Sequence, residues 1–531
     1  MMSYPLRGRR MNQASRLALA AAPGSMPFAC GPTRTYAPSD LGGAAGDSSV
    51  LDLGGDAPLG GAGAGGSGGS DGAGGSDGDG GEGGSEGDGG SEGDGGSGSG
   101  GGGPCGGTDP PCVSWAVEQK LLAALPGGGG DSGAGDVFGY SVAVSGDTAI
   151  IGSYGDDDQG SGSGSAYVFI RQGGTWTPQQ KLLATLPSGV PDGAADDRFG
   201  RSVAISGDIA VVGSDEDDDA ASGAGSAYVF LRTGTTWQVE QKLMAPSAGD
   251  ADRFGRNVAI AGTTILIGSP YHDVDAENGA GTVYVFVREG TSWPLQKTLT
   301  AALPGGATDV DAGARFGAAV SISGDTALIG ADSDDPQGAE SGSAYVFVRA
   351  GTTWTAEQKL VAALPGGALD GAASDFFGGS VAVSGDTAIV GSQQDGDQGV
   401  NSGSAYVFVR EGTTWTVEQK LLTALDDGSL DGAAGDYFGQ AVSVDGDTAI
   451  VASYADNAQG VASGSAYVFA RDGTTWAVQQ KLVAALPGGT PDGGGHANFG
   501  RSVALSGDTS VIGASGDNDF GAAYVFLGTA P

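Results

Sequence analysis

One phrase recurs along this chain and limits what it can fold into. Phe-Gly occurs at Phe138, Phe199, Phe254, Phe316, Phe377, Phe438 and Phe499, at steps of 61, 55, 62, 61, 61 and 61 residues. Tyr-Val-Phe begins at Tyr167, Tyr228, Tyr284, Tyr345, Tyr406, Tyr467 and Tyr524. A third marker is Trp115, Trp176, Trp237, Trp293, Trp354, Trp415 and Trp476, which accounts for all 7 tryptophans of the chain. A fixed period of this length means one supersecondary unit written repeatedly, each copy burying its apolar face against the next.

Within one period four short strands are legible and no helix. "SVAVS" (residues 380–384) alternates and is β-branched; a Gly-Asp turn leads into "TAIVGS" (387–392). After an acidic, glycine-rich loop come "GSAYVFVR" (403–410), the turn "EGTT" and "WTVEQKLLTA" (415–424). The fold class is therefore all-β, a seven-bladed β-propeller of four-stranded antiparallel blades. Side chains grade from Ala, Val, Ser and Gly in the first two strands, through Tyr and Phe, to Trp in the fourth, as a wedge narrow at the axis requires. The fourth strand is then the outer edge. Its lysine (Lys120, Lys181, Lys242, Lys297, Lys359, Lys420, Lys481) is expected to discourage edge pairing. The last copy has only three strands, and an isolated Trp strand, residues 115–123, precedes the first Phe-Gly. The N-terminal strand is expected to complete the last blade and close the ring.

The preceding residues read differently. Residues 54–107 are almost wholly Gly, Ser, Asp, Glu and Ala, with almost no large apolar side chains whose burial would offset the entropy of ordering. The expected division is an export signal over 1–30, a disordered acidic linker over 31–112 and the propeller over 113–531. Arg7, Arg9, Arg10 and Arg16 precede the apolar run "LALAAA", and Cys30 follows small residues, which makes it the candidate for lipid attachment. Cys105 and Cys112 bracket "GGTDPP" and are candidates for a disulfide in an oxidising compartment. No stretch is long and apolar enough to span a membrane as a helix, so a membrane role would run through a lipid anchor.

"DYFGQAVSVDGDTAIVAS" resembles the FG-GAP repeat of integrin α-chain propellers. "FGYSVAVSGDTAIIGS" and "GSAYVFIRQGGTWTPQQKLLA" are similar to bacterial FG-GAP repeat surface proteins. The resemblance implies a propeller used for binding at the cell surface, without enzymatic activity. Integrin-type repeats carry a calcium loop between the first two strands. Here that connection is Ser-Gly-Asp in five copies, Asp-Gly-Asp at 445–447 and Ala-Gly-Thr at 261–263, too tight to wrap a cation with six to eight oxygens. The family's metal sites are not carried over.

In an up-and-down blade the short turns share one face and the long loops the other. Acid collects on the long-loop face, at 156–158, 215–219, Asp273, Asp275, Asp332, Asp334, Asp335, Asp395, Asp397, Asp517 and Asp519, and at Asp192, Asp196, Asp197, Asp370, Asp375, Asp431 and Asp436. With a formal charge of −39, this acid either solvates the disc or presents a face to cations or a basic partner. Asp215, Asp217 and Asp219 are the best-spaced carboxylates for a weakly held calcium ion. No other cofactor is implied. His272 and His496 lie in different copies, and no hydrolase elbow, zincin motif or nucleotide loop is present. The charge disfavours nucleic acid. The expected function is an exported, monomeric adhesion or ligand-binding propeller on a flexible stalk, with a protein or glycan partner on the acidic face. The alternatives are a structural matrix protein and, third, a glycan-active enzyme.

Overall fold

The computed structural model describes residues 113–425 and 427–529. The expected export signal, Cys30, the acidic stretch and the candidate pair Cys105 and Cys112 lie outside the described residues.

The repeat folds into seven four-stranded antiparallel sheets. Blade one consists of Ser141–Ser145, Thr148–Ser153, Ser165–Gln172 and Thr175–Leu182, hydrogen-bonded in that order. Blades two to six repeat the plan, beginning with Phe199–Ser206, Asn257–Ala261, Ala319–Ser323, Phe377–Ser384 and Val442–Asp445. First strands touch first strands around the whole ring, including that of blade seven against that of blade one. They therefore line the axis. The second strand is buried along nearly its full length in every blade. Among the described residues no helix is long and apolar enough to cross a membrane.

Blade seven closes the ring as its missing strand requires. Phe499–Ser506, Thr509–Ala514 and Ala522–Thr529 are joined by Ser114–Leu121 as outer strand, with Trp115 opposite Gly528 and Lys120 opposite Tyr524. Trp115 is 4% exposed and packs with Val468 and Leu482 of blade six and Phe526 of blade seven. At the axis, Ser502 Oγ donates to Gly139 O at 3.0 Å, joining blade seven to blade one.

The Phe-Gly pair sits where neighbouring blades come closest. Each Phe ring is fully buried, and Phe199 meets Tyr228 edge-on at 5.3 Å. The glycine after it has φ near +90° at Gly200, and a Cβ there would lie 2.1 Å from the carbonyl oxygen of Ser165 in the preceding blade. Both the backbone angle and the approach demand glycine.

The outer strands are stitched together by Trp-x-x-Glu/Gln-Gln-Lys. Gln180 Nε2 donates to Trp237 O at 2.8 Å while its Oε1 accepts from Trp237 N at 2.8 Å. The residue before this glutamine takes the next indole N–H: Glu118 Oε2 accepts from Trp176 Nε1 at 2.9 Å, and Glu418 Oε2 from Trp476 Nε1 at 3.0 Å. Gln480 clamps the backbone of Trp115 in the same way, so the seam crosses the point of closure.

Candidate functional site: the long-loop face

The edge lysine has a different role from the expected one. Only Lys297 is exposed among the seven. The other six turn inward towards the long-loop face, with 7–18% side-chain exposure, and each is held by carboxylates. Blade two shows the plan. Lys242 Nζ lies 2.9 Å from Asp192, in the loop entering the blade, and 2.7 and 2.6 Å from Asp217 and Asp219, in the loop between strands two and three. The Tyr228 hydroxyl is 2.8 Å from Asp192 Oδ2 and 3.2 Å from Asp217 Oδ2, and Ser226 Oγ donates to Asp217 at 2.7 Å. One ammonium thus fastens two loops to the outer strand. The same clasp is built by Lys181 with Asp131 and Asp156, Lys359 with Asp309 and Asp334, Lys420 with Asp370 and Asp395, and Lys481 with Asp431 and Asp456. In blade seven, Lys120 reaches Asp492 and Asp517, so closure is ionic as well as hydrogen-bonded.

Burial pushes the Asp217 carboxyl up, but Lys242, Ser226 and the Asp219 backbone N–H outweigh it and hold it below the usual carboxylate value. Burial would lower Lys242, yet its aspartates keep it raised and charged. The clasp is a satisfied buried network, in which removing one charge strands the others.

This arrangement redraws the expected metal set. Asp217 and Asp219 come together with Asp192, whereas Asp215 Oδ2 lies 3.1 Å from Arg256 Nη1 and 3.7 Å from Arg201 Nε. Among the described residues, the acidic groups close enough to share a cation are Asp192, Asp217 and Asp219, and Asp370, Asp395 and Asp397. Each set already surrounds an ammonium, that of Lys242 or of Lys420. His272 Nδ1 lies 2.8 Å from Asp252 Oδ2, and Asp273 Oδ1 accepts the Gly279 N–H, so the alternating acids after His272 do not gather around it.

Blade three lacks the clasp. His272 takes the place of Asp217, since its N–H bonds Ser269 O and its carbonyl accepts from Gly281, as Asp217 does with Ser214 and Gly225. Thr298, not a lysine, stands opposite Tyr284. The Tyr284 hydroxyl is buried without a hydrogen-bond partner in good geometry, and burial, eased by neighbouring Ser247, pushes it up to about 12.

Two clefts open between these loops. One of 390 Å³ is bounded by Asp131, Asp136, residues 156–158 and Lys181. The other, of 320 Å³, lies between blades two and three, where Glu216 Oε1 is 3.4 Å from Arg198 and 2.8 Å from Arg253. Beside them Asp197 is buried; desolvation raises its carboxyl to about 6 although it accepts the Ala194 N–H.

Nearer the axis runs a rim formed by the second residue after each Phe: Tyr140, Arg201, Arg256, Ala318, Gly379, Gln440 and Arg501. Arg201 of blade two and Arg501 of blade seven lie 4.4 and 4.5 Å from the ring centre of Tyr140 between them. Tyr140 in turn meets Tyr154 edge-on at 4.6 Å.

The repeat that builds this face is matched seven times by the profile of the FG-GAP repeat, over residues 115–169, 176–230, 237–286, 293–347, 354–408, 415–469 and 476–526. The chain belongs to the FG-GAP repeat family. Each matched FG-GAP segment starts on an outer Trp strand and ends on the third strand of the next blade, so the sequence unit straddles two blades. A search of curated proteins found no match to the chain.

The clasp and the rim were missed by sequence reasoning for different reasons. The clasp leaves a signal: aspartates recur 50 and 25 residues before lysine in blades one, two, four, five and six. The loss of lysine opposite tyrosine and of the loop aspartate both fall in blade three. The rim varies from copy to copy and leaves no periodic signal.

Proposed function

We propose that this FG-GAP propeller is a non-enzymatic binding module, displayed at the cell surface, whose protein or glycan partner docks on the long-loop face. The observation that carries this reading is the division of labour within the repeat. Phe-Gly, the Tyr-Lys-Asp clasp and the Gln-Trp seam recur almost unchanged, whereas the rim carries five residue types over seven blades and the loop tips vary. Clasped backbone carrying variable side chains suits a scaffold that presents a surface for recognition. Membership of the FG-GAP family agrees with this.

The test uses the full chain, screened against glycans and envelope proteins, with two paired variants. Val400→Arg with Val461→Arg alters exposed tips of the long-loop face, where these side chains are 76% and 66% exposed. Thr413→Arg with Thr474→Arg alters exposed short turns on the opposite face. The expected result is weakened binding for the first pair alone. Binding that survives the first pair and is lost in the second would place the partner on the other face. A chain that captures nothing in the screen supports the structural-matrix alternative.

A further inference from the structure

We propose that the axial rim at the long-loop face receives one oxyanion, a carboxylate or sulfate carried on a sugar ring, and that Arg501 is the residue that recognises it. The proposal rests on the binding reading above and names the ligand chemistry.

The rim is cationic in a strongly acidic protein. Arg201, Arg256 and Arg501 occupy three of its seven positions, whereas the chain as a whole carries −39. Arg256 is paired, since Asp215 lies 3.1 Å away, and Arg201 lies 3.7 Å from the same carboxylate. Arg501 has no carboxylate within ion-pair distance among the described residues. The groups that raise its basicity against burial are the hydroxyls of Tyr140, Tyr454 and Tyr154. Its Nη2 donates to Tyr140 Oη at 2.5 Å, and the Gln440 amide, turned so that both of its ends are satisfied, accepts from Nη1 at 2.6 Å. A guanidinium has five N–H donors, and two are accounted for here.

The missing counter-charge has a definite address. Asp215 follows the second strand of blade two and reaches the rim arginine of blade three. The residue that follows the second strand of blade six, facing the rim arginine of blade seven, is Tyr454, 5.7 Å from Arg501 by ring centre. An aromatic wall stands where the junction of blades two and three has a carboxylate. Arg501 lies deep among protein atoms yet is only half-buried by solvent exposure, so it is enclosed without being sealed. An enclosed guanidinium lacking an acid partner favours an anion from solution, and its planar fork fits the two oxygens of a carboxylate or sulfate. Tyr140 and Tyr454 flank it, and Tyr437 stacks on Tyr454 at 5.6 Å. These rings line the guanidinium with aromatic surface, to which the C–H groups of a sugar are complementary. The opposite side of the rim is small, with Ala318 and Gly379.

The test titrates the full chain with galacturonate, galactose 6-sulfate, galactose and inorganic sulfate at constant ionic strength, followed by calorimetry and ligand-observed NMR. The expected result is saturable binding of one or both acidic sugars at about 1 mM or tighter, with galactose at least about tenfold weaker. The preferred acidic sugar says whether carboxylate or sulfate is the natural group. Arg501→Gln should weaken it about tenfold or more, and Arg501→Lys less. Tyr454→Asp supplies the absent carboxylate and should abolish anion binding without lowering the melting temperature, which guards against loss by misfolding. Equal binding of galactose and galacturonate, no saturable signal, or binding unchanged in both Arg501→Gln and Tyr454→Asp would overturn the proposal. Inorganic sulfate binding as tightly as the sugars would mean an adventitious ion only, and would overturn it too. A macromolecular partner that still docks after Tyr454→Asp but is lost with Val400→Arg and Val461→Arg would leave the face reading standing without this inference.

Discussion

Blades two and three are neighbours with the same strand order, and they hold their loops by different means. In blade two an ammonium buried among Asp192, Asp217 and Asp219 draws both long loops onto the outer strand. In blade three the places of lysine and inner aspartate are taken by Thr298 and His272, and the loop histidine leans on Asp252 instead. Yet the turn after the second strand closes with the same backbone bonds, Asp217 to Ser214 and His272 to Ser269. The turn after the second strand is therefore set by its backbone bonds, and the clasp is a reinforcement laid over it. The exchange also shows that the clasp stands or falls as a unit. A lysine without its aspartates, or the reverse, would bury an unpaired charge.

The most drastic way to break this comparison is in blade seven, whose clasp lysine arrives from the far end of the sequence. Deleting residues 113–123 removes Lys120 and Trp115 together. Loss of the buried Trp alone costs about 3–5 kcal/mol, so a large drop in melting temperature is expected by calorimetry. An unchanged transition would refute closure by this strand. Next comes Lys242→Met, which leaves carboxylates facing one another and should cost about 3–5 kcal/mol in denaturant unfolding. Lys297→Met, in the blade without a clasp, should stay within about 0.5 kcal/mol. Equal effects at the two sites would erase the distinction between the blades.

Calcium sharpens the contrast further. In the native chain CaCl₂ should raise the melting temperature no more than NaCl of equal ionic strength, because Lys242 occupies the space among the acids. In Lys242→Met the same acids become free ligands, and millimolar calcium should restore about 1–3 kcal/mol. A calcium-specific shift already present in the native chain would show that the clasps do not exclude metal.

The smallest effect is one of pH. Asp197 of blade two has its folded carboxyl raised to about 6 from 3.8. Between those values the folded state binds the extra proton, so this residue's contribution falls as pH rises from about 4 to 6. Asp197→Asn should flatten that part of the stability profile. Asp217, held below 3.8, acts in the opposite sense: its contribution is present above that value and is lost as pH falls through its lowered folded value. A native profile no different from that of Asp197→Asn would remove burial as the governing influence at this position.

The blade count, the strand order and the closing strand were legible because they rest on residues that every copy repeats: Phe-Gly for the close approach of backbones, Trp for the outer packing. The lysines were visible too, but their role was not. A lysine on an outer strand is ordinarily solvated, and only the fold shows that two loops bend back far enough to enclose it. For the same reason the spacing of Asp215, Asp217 and Asp219 was misleading. The turn closed by Asp217 N–H on Ser214 O sends Asp215 to Arg256 and Asp217 and Asp219 to Lys242. In the sequence Arg501 is only one of several arginines beside Phe-Gly. Its lack of an acid is a property of blade six meeting blade seven, and no single repeat contains it.

The offset between sequence unit and blade has a consequence in time. Ser114 and Thr529 bond across 415 residues. At about 5–20 residues per second of synthesis, the strand that starts at Ser114 waits roughly 20–80 s for its partner to be made. Throughout that interval Trp115 and the open hydrogen-bonding edge beside it have no blade to join, while the copies that follow can pair as they emerge. The propeller is thus vulnerable to wrong pairing at its first strand until its last strand has been translated, and a propeller that stops one strand short leaves its opening strand unpaired.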